Sequence, residues 1–170
     1  MNTLPQPRRK NTLRLNTWDY SSPGPYFFTI CTHERLDIFI DQNNRQIALD
    51  SFRAIAAEEA AVLHAIVVAA DHVHGIVTLG KLIVGAGPDR GPASHGAGMP
   101  APTLSRYVGR SKVKTSQLLN ISGCGSSVET MWQRSFYDHV IRDEEDYLNK
   151  ARYIENHPSK EEGNIFAEWH

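Results

Sequence analysis

Two histidines separated by one residue are the side chains in this sequence best suited to binding a metal ion. They lie in Asp71-His72-Val73-His74, inside a run of Ala, Val and Ile that is typical of an interior strand. Alternate residues of a strand point to the same face, about 6.5 Å apart, so both imidazoles can reach one cation. Two surface histidines on a half-exposed strand remain the alternative, because two ligands make only half of a metal site.

A tyrosine and a third histidine near the end of the chain form a second candidate group. Tyr153 and His157 are four residues apart in a predicted helix, which places them on one helix face. Tyr147, Ala151 and Ile154 form a different, apolar face that we expect to pack on the sheet. Because Tyr153 lies off that face, its phenol could act as a nucleophile. A boundary tyrosine with a solvated hydroxyl is the alternative.

The segment before this helix contains two further candidates. Alternation along a strand predicted for residues 132–141 places Gln133, Tyr137 and His139 on one face. His139 could assist at the metal site or contact phosphate, but such histidines are more often structural, and we leave it out of the ligand set. Tyr137 is a rival nucleophile, although its position in a strand favours a packing role.

Seven predicted elements must position these side chains, in the order β-α-β-β-α-β-α. The predicted strands cover residues 26–33, 63–69, 72–79 and 132–141, and the predicted helices cover residues 42–60, 103–119 and 143–156. The nearly continuous apolar run at 63–69 predicts a central strand buried on both faces. The first six elements follow the ferredoxin-like α+β pattern (βαββαβ), a four-stranded antiparallel sheet with two helices on one face. We interpret the extra C-terminal helix as the carrier of the nucleophile.

Length and composition predict one globular domain. Of 170 residues, 41% are hydrophobic and 22% charged, an ordinary globular balance. We divide the chain into a basic N-terminal arm at 1–24, a domain at 25–160 with a flexible Gly- and Pro-rich loop at 80–101, and a C-terminal tail at 161–170. The two cysteines form no CxxC motif, which argues against a disulfide scaffold or a cysteine zinc site. With no signal peptide or membrane-spanning apolar run, the cytoplasm is the expected compartment.

Basic residues cluster in two places, although the net charge is only −1. That small charge argues against a wholly basic, histone-like protein, whereas the uneven distribution still allows a nucleic-acid surface. The candidate DNA-binding residues are Arg8, Arg9, Lys10 and Arg14 in the arm, and Arg106, Arg110, Lys112 and Lys114 in the predicted helix at 103–119.

Together these segments resemble the HUH single-tyrosine transposases. The similarity is closest to the REP-associated tyrosine transposases, which are relatives of the small insertion-sequence transposases. It rests on the histidine pair within 71–75, on the WQR and DHVIR sequences within 132–142, and on the helix end at 153–158. The basic N-terminal residues and the aromatic first strand are also similar in residue type to those of the family. The resemblance therefore covers nearly the whole chain apart from the Gly- and Pro-rich loop.

The resemblance implies a metal-dependent enzyme that cuts and rejoins single-stranded DNA, as in DNA transposition. In the family, two histidines and a polar residue one turn beyond the tyrosine bind Mg²⁺ or Mn²⁺, which polarises the scissile phosphate. On this chain the implied ligands are His72, His74 and His157, and the implied nucleophile is Tyr153. Its attack would leave a 5′-phosphotyrosine and a free 3′-hydroxyl, without ATP.

The resemblance also implies the partners. Typical substrates are single-stranded DNA hairpins of repeated palindromic elements, held by basic residues of the arm and of the 103–119 helix. Some relatives are dimers that exchange the tyrosine helix and others act as monomers, so a homodimer is one of the expected states.

His157 departs from the family pattern, in which Asn or Gln is usual. An imidazole is at least as good a ligand, and it would favour softer ions such as Mn²⁺, Co²⁺ or Zn²⁺ over Mg²⁺. Asn156 has the family-like side chain but points about 100° away on an ideal helix, so we expect His157 to be the ligand. Because the helix ends at Pro158, fraying could exchange the two roles.

Two other classes fit the same residues. One is a ferredoxin-like nucleic-acid-binding protein without cleavage, in which Tyr26 and Phe28 could stack on bases. The other is a zinc hydrolase that uses the three histidines and a general base such as Glu155. Only the transposase would form a covalent protein–DNA adduct.

Overall fold

The computed structural model describes residues 23–80, 103–120 and 131–157. Nearly all of the predicted arm and loop, and the whole of the predicted tail, therefore lie outside the described residues. The described elements are β1 Gly24–Cys31, a 3₁₀ turn at His33–Arg35, α1 Gln42–Glu58, β2 Val62–Val68, β3 His72–Leu79, α2 Leu104–Leu119, β4 Tyr137–Val140 and α3 Glu144–Glu155. None of the helices in these segments is long and apolar enough to cross a membrane.

The strands form one antiparallel sheet in the order β2-β3-β1-β4. Phe28 of β1 lies opposite Gly75 of β3 on one side, and Thr29 lies opposite Tyr137 of β4 on the other. The first and third strands thus occupy the centre, as a ferredoxin-like connection requires. The predicted α+β class with a four-stranded antiparallel sheet is confirmed.

Helices α1 and α2 cover one face of the sheet, where the larger core lies. Tyr26, Phe28 and Ile30 point into it from β1 and are fully buried. The ring of Phe28 stacks on Phe52 with centroids 5.9 Å apart, and the Tyr107 hydroxyl donates to the Phe52 carbonyl oxygen at 3.2 Å. Because Tyr26 and Phe28 lie beneath the helices, the alternative in which they stack on bases is wrong.

Helix α3 covers the opposite face of the sheet. Its first residue is capped by the Asp143 carboxylate, which accepts a hydrogen bond from the Asp146 amide. Ile154 is fully buried against Phe27 and Ile76 of the sheet, in a second, smaller core that Tyr147 and Ala151 border. The predicted apolar face of this helix therefore does pack on the sheet.

The apolar strand predicted to be central is at an edge of the described sheet. β2 pairs only with β3 there, yet it is buried on both faces. Ile66 and Val68 contact the core beneath α1, whereas Ala65 and Val67 contact the core beneath α3. The continuous apolar run therefore reflects a helix on each face rather than a strand on each side.

The strand predicted at 132–141 is also shorter than expected. Only Tyr137–Val140 form β4, while Trp132 makes an isolated bridge with Thr32. Trp132 packs against Phe39, with ring centroids 5.4 Å apart. Its indole is anchored in the core, and the residues between it and β4 leave the ladder.

Gly75 provides a test of the close packing between β1 and β3. A Cβ at this position would lie 2.8 Å from the Cε1 atom of Phe28, whose ring is held by Phe52. We expect Gly75→Ala to lower the free energy of unfolding by about 1–3 kcal/mol, the usual range for overpacking. Urea unfolding measures this. Gly109→Ala is the control, because a Cβ there meets no atom within 4 Å. Equal stability of the two variants would contradict the packing.

Candidate metal centre and adjacent tyrosine

Strand β3 presents His72 and His74 on the face that α3 covers. Their ring centroids are 4.6 Å apart, and Val73 between them is fully buried on the opposite face. His74 has a paired strand on each side, opposite Thr29 of β1 and Val67 of β2. The two imidazoles therefore project from a backbone that is held on both sides.

The end of α3 brings a third imidazole and the phenol to these histidines. His157 lies just beyond the helix, with its amide donating to the Ile154 carbonyl at 3.2 Å, and it is 8% exposed. Its Nε2 atom is 3.1 Å from Nε2 of His72. The hydroxyl of Tyr153 is 3.3 Å from Nε2 of His74. The structure thus brings together all four residues that the sequence analysis selected for chemistry.

The three histidines lie close enough together to be candidate ligands of one divalent cation. One ring nitrogen from each lies within 4.8 Å of the others. With metal–nitrogen bonds of about 2.1 Å, ligand angles of about 90–109° require nitrogens about 3.0–3.4 Å apart. The 3.1 Å between the Nε2 atoms of His72 and His157 falls in that range.

Contacts behind the histidines set which ring nitrogen faces the cluster. His72 donates from Nδ1 to the Asp71 carboxylate, and the other carboxylate oxygen accepts from Arg35 at 2.9 Å. Nδ1 of His74 is 2.8 Å from the hydroxyl of Thr29. Both rings therefore turn Nε2 toward the cluster. Such outer contacts hold metal ligands in orientation.

Burial favours the neutral form of His74 and His157. The pKa of His74 is lowered to about 3, first by burial and then by the neighbouring His72 and His157. The pKa of His157 is lowered by burial and by His72. Burial raises the pKa of Asp71, but the hydrogen bond from His72 and the charge of Arg35 outweigh it, so the net pKa is lowered. At neutral pH, His74 and His157 therefore offer lone pairs and Asp71 is charged.

Phe27 forms the floor on which the tyrosine and a histidine rest. Its ring stacks on His74 with centroids 5.7 Å apart and meets Tyr153 edge-on at 6.1 Å. A cavity of about 380 Å³ opens beside these rings, and Tyr137 is also part of its wall. Tyr137, the rival nucleophile, makes no hydrogen bond or ring contact with the three histidines in the described residues.

His139 has a partner of its own on this face. Its Nε2 atom lies 2.7 Å from an oxygen of Asp146, in the first turn of α3. The pair ties β4 to the helix that carries Tyr153. In the described residues His139 is not among the three histidines that could share a cation.

The basic residues of α2 lie on the other side of the molecule. Arg106 pairs with Glu59 of α1 at 2.9 Å, Arg110 pairs with both Glu58 and Glu59, and Lys114 pairs with Glu58 at 3.1 Å. Because α2 packs on the face of the sheet opposite the histidines, these cations do not adjoin the candidate metal centre.

Lys112 differs from the other basic residues of α2. It is 7% exposed, and its Nζ donates to the Gln133 carbonyl at 2.8 Å. Burial lowers its pKa to about 8. The basic residues of the arm, Arg8, Arg9, Lys10 and Arg14, lie outside the described residues.

The sequence analysis missed the residues that support the site. Asp71, Thr29 and Arg35 are given no role at the site by the sequence alone. Asp71 directly precedes the histidine pair in the sequence. Because metal-binding imidazoles often donate a hydrogen bond to a carboxylate, this position could have identified Asp71 as a supporting residue. Thr29 reaches His74 only through the register of β1 and β3, which no local pattern reports.

Comparison with solved structures shows which proteins share this architecture. A REP-associated tyrosine transposase bound to a REP hairpin superposes with a TM-score of 0.60 and 21% identity, over 87% of this chain and 74% of that one. The chain has the fold of this transposase. A candidate transposase from Deinococcus radiodurans R1 superposes with a TM-score of 0.50 and 18% identity, over 84% of this chain and 95% of that one.

Sequence comparison adds one relative of unassigned activity. A Haemophilus influenzae protein described as uncharacterized is 25% identical in an alignment of 175 positions, which covers 88% of this chain and 88% of that one. No family model matches the chain.

The ligand set predicts opposite outcomes for two adjacent residues. His157→Ala removes a buried ring nitrogen, so we expect Mn²⁺ and Zn²⁺ to bind at least about tenfold more weakly, a loss that even outer-contact substitutions can reach. Asn156→Ala is the control and should bind normally, because Asn156 is exposed and its amide donates to the Arg152 carbonyl. Titration calorimetry measures both. Normal affinity in His157→Ala, or equal losses in the two variants, would exclude His157 as the distinctive ligand.

Proposed function

We propose that this chain is a metal-dependent transposase of the HUH single-tyrosine type, which cleaves and rejoins single-stranded DNA. The observation that carries this proposal is the position of the Tyr153 hydroxyl, 3.3 Å from Nε2 of His74, at the edge of a three-histidine cluster that fits a cation. Nucleophile and metal must meet at one phosphate, and here their side chains are neighbours. The shared fold with a REP-associated tyrosine transposase supports the same class.

The exposure of Tyr153 suits a nucleophile better than a structural residue. Its side chain is held against Phe27 and His74, yet the residue is 50% exposed, so DNA can reach it. Tyr107, a structural tyrosine of the larger core, is fully buried and hydrogen-bonded to a carbonyl. Tyr153 is therefore fixed in direction and open to a substrate at the same time.

In the proposed reaction, His72, His74 and His157 would hold a divalent metal ion, Mg²⁺ or Mn²⁺, which would polarise the scissile phosphate. The phenol of Tyr153 must lose its proton as it attacks the phosphorus. A bond forms between the phenol oxygen and phosphorus, and the bond from phosphorus to the 3′-oxygen breaks. The 3′-oxygen takes up a proton, which leaves a 5′-phosphotyrosine and a free 3′-hydroxyl.

Rejoining is the reverse of this step on another strand. A 3′-hydroxyl attacks the phosphotyrosine, a new phosphodiester forms, and the Tyr153 phenol is released. Each step exchanges one phosphate ester for another, so no ATP is consumed. The proposed substrates are single-stranded hairpins of repeated palindromic elements, which is supported by the REP hairpin bound to the solved transposase.

A zinc hydrolase is the second candidate, and the ligand set favours it specifically. Three histidines with an open fourth position are a common catalytic zinc site, at which a bound water rather than a side chain attacks. Glu155 would be its general base, but this residue is exposed, and in the described residues no hydrogen bond joins it to the three histidines. The two candidates differ in whether DNA becomes attached to the protein.

The covalent adduct is the decisive test of the nucleophile. Wild-type protein incubated with Mn²⁺ and hairpin-bearing single-stranded DNA should give a protein–DNA band on a denaturing gel. Tyr153→Phe should reduce this band to background, because a phenyl ring has no oxygen to form the ester. Tyr147→Phe, on the same helix but bordering the core, is the control, and Tyr137→Phe should still form the adduct.

The other outcomes of this test assign other functions. An adduct that persists in Tyr153→Phe would place the nucleophile elsewhere. Free cleavage products without any adduct would indicate the hydrolase, and tight binding without reaction would indicate a binding protein.

The ion pairs between α1 and α2 allow a test of the DNA-binding residues. Arg106 and Arg110 are poor targets, because removing either one takes a partner from the buried carboxylate of Glu59. Glu58 and Lys114 form a more exposed pair, so changing either should affect stability little. If α2 binds phosphates, Glu58→Gln should raise the affinity for hairpin-bearing single strands, and Lys114→Gln should lower it.

Salt dependence identifies the origin of these changes. Lys114→Gln should reduce the slope of log affinity against log salt by about 1, as expected for one lost phosphate contact. Fluorescence anisotropy measures both quantities, and a plain duplex of the same sequence should bind more weakly than the hairpin strand. Unchanged affinity in both variants would remove α2 from the DNA-binding surface.

A further inference from the structure

The cavity beside Tyr153 contains polar groups that the proposed strand transfer does not use. Asn149 and Lys150 of α3 line it together with Tyr137 of β4, on the floor formed by Phe27. Neither Asn149 nor Lys150 makes a side-chain hydrogen bond or ion pair in the described residues, and the Tyr137 hydroxyl is likewise without one. Three groups able to recognise a ligand thus border one opening next to the nucleophile.

The position of Lys150 is unusual for a helix rich in acids. Four consecutive acids, residues 143–146, open the α3 segment, yet the Lys150 ammonium pairs with none of them. Its Nζ atom lies 5.2 Å from the centre of the Phe27 ring, and that ring also contacts His74 and Tyr153. A positive charge is therefore held over the aromatic floor of the cavity, and no carboxylate of the described residues pairs with it.

The remaining walls suit a planar base. Tyr137 is 39% exposed and Tyr153 is 50% exposed, so parts of both rings face outward, whereas Phe27 is 4% exposed and serves as a floor. The amide of Asn149 offers a donor and an acceptor, which is what the edge of a nucleobase requires. At about 380 Å³ the cavity is near the lower end of ligand-binding sites, so it suits one nucleotide better than a duplex.

We propose that this cavity binds the nucleotide adjacent to the scissile phosphate, with Lys150 pairing to its phosphate and Asn149 contacting its base. The proposal rests on the proposed strand transferase function and deepens it, because it makes these residues determinants of where the strand is cut. Base stacking on Tyr137 would align the strand so that the next phosphate reaches Tyr153. The site would select single-stranded DNA mainly by the geometry of the strand, and it would distinguish one base from another to a smaller extent.

Two substitutions on α3 that change the net charge by the same amount test the phosphate contact. Lys150→Gln and Arg152→Gln each remove one positive charge, but Arg152 is exposed and does not line the cavity. In a Tyr153→Phe background, which prevents cleavage, the affinity for short single-stranded oligonucleotides is measured by fluorescence anisotropy. Lys150→Gln should bind about tenfold more weakly, the loss expected for one charge-assisted hydrogen bond. Arg152→Gln should change the affinity less than about twofold, because a solvated charge outside the cavity is screened.

Base selection at the cut tests the role of Asn149. Hairpin substrates with random nucleotides around the cleaved junction are treated with wild type and with Asn149→Ala, and the cleaved products are sequenced. We expect Asn149→Ala to lose base preference at one position next to the cut and to keep it elsewhere. Asn156→Ala is the matched control. Thermal unfolding of every variant checks that the fold is retained.

The results separate this inference from the proposed function. If the adduct forms but Lys150→Gln and Arg152→Gln weaken binding equally, or Asn149→Ala leaves every preference unchanged, the nucleotide site is wrong and the transferase stands. If no adduct forms but Lys150→Gln alone weakens single-strand binding, the cavity is a nucleotide site and the phosphotyrosine mechanism is wrong.

Discussion

The packing of α3 on the sheet is the interaction on which the candidate site depends. The buried side chain of Ile154, set against Phe27 and Ile76, fixes the rotation of the helix about its axis. Tyr153 is the preceding residue and His157 lies three residues further, so both are directed by this single apolar contact. A ferredoxin-like sheet without this helix would present two histidines to solvent, with neither a third ligand nor a phenol nearby.

Placing three imidazoles together in a partly buried site costs folding free energy, which opposes the packing of the helix. Unpaired polar groups in such surroundings are destabilising, and like charges would repel one another. The chain meets this constraint with contacts from outside the cluster, through Asp71 behind His72 and Thr29 behind His74. Arg35 stabilises the Asp71 carboxylate in turn. Metal ligands oriented in advance lose little freedom on binding, which favours affinity and a defined geometry.

Local patterns in the sequence predicted those parts of the site that depend on neighbouring residues. The shared face of His72 and His74 follows from the two-residue period of a strand, and the four-residue spacing of Tyr153 and His157 follows from the helix. Contacts across the sheet could not be predicted, because the register that sets Thr29 beside His74 joins residues 45 positions apart. The edge position of β2 was missed for a similar reason. A strand covered by a helix on each face and a strand in the centre of a sheet can both have a continuous apolar sequence.

The candidate site draws its histidines from two elements that are far apart in the sequence. His72 lies on the sheet and His157 follows the last helix, 85 positions later, and their nitrogens are in contact. Any ion shared by this pair binds only while the helix is docked. By linkage, the ion tightens the docking by the same factor by which docking raises the affinity for the ion. Ion binding at this centre and docking of the helix would thus be one equilibrium, and a bound ion would hold the segment that presents the phenol against the sheet.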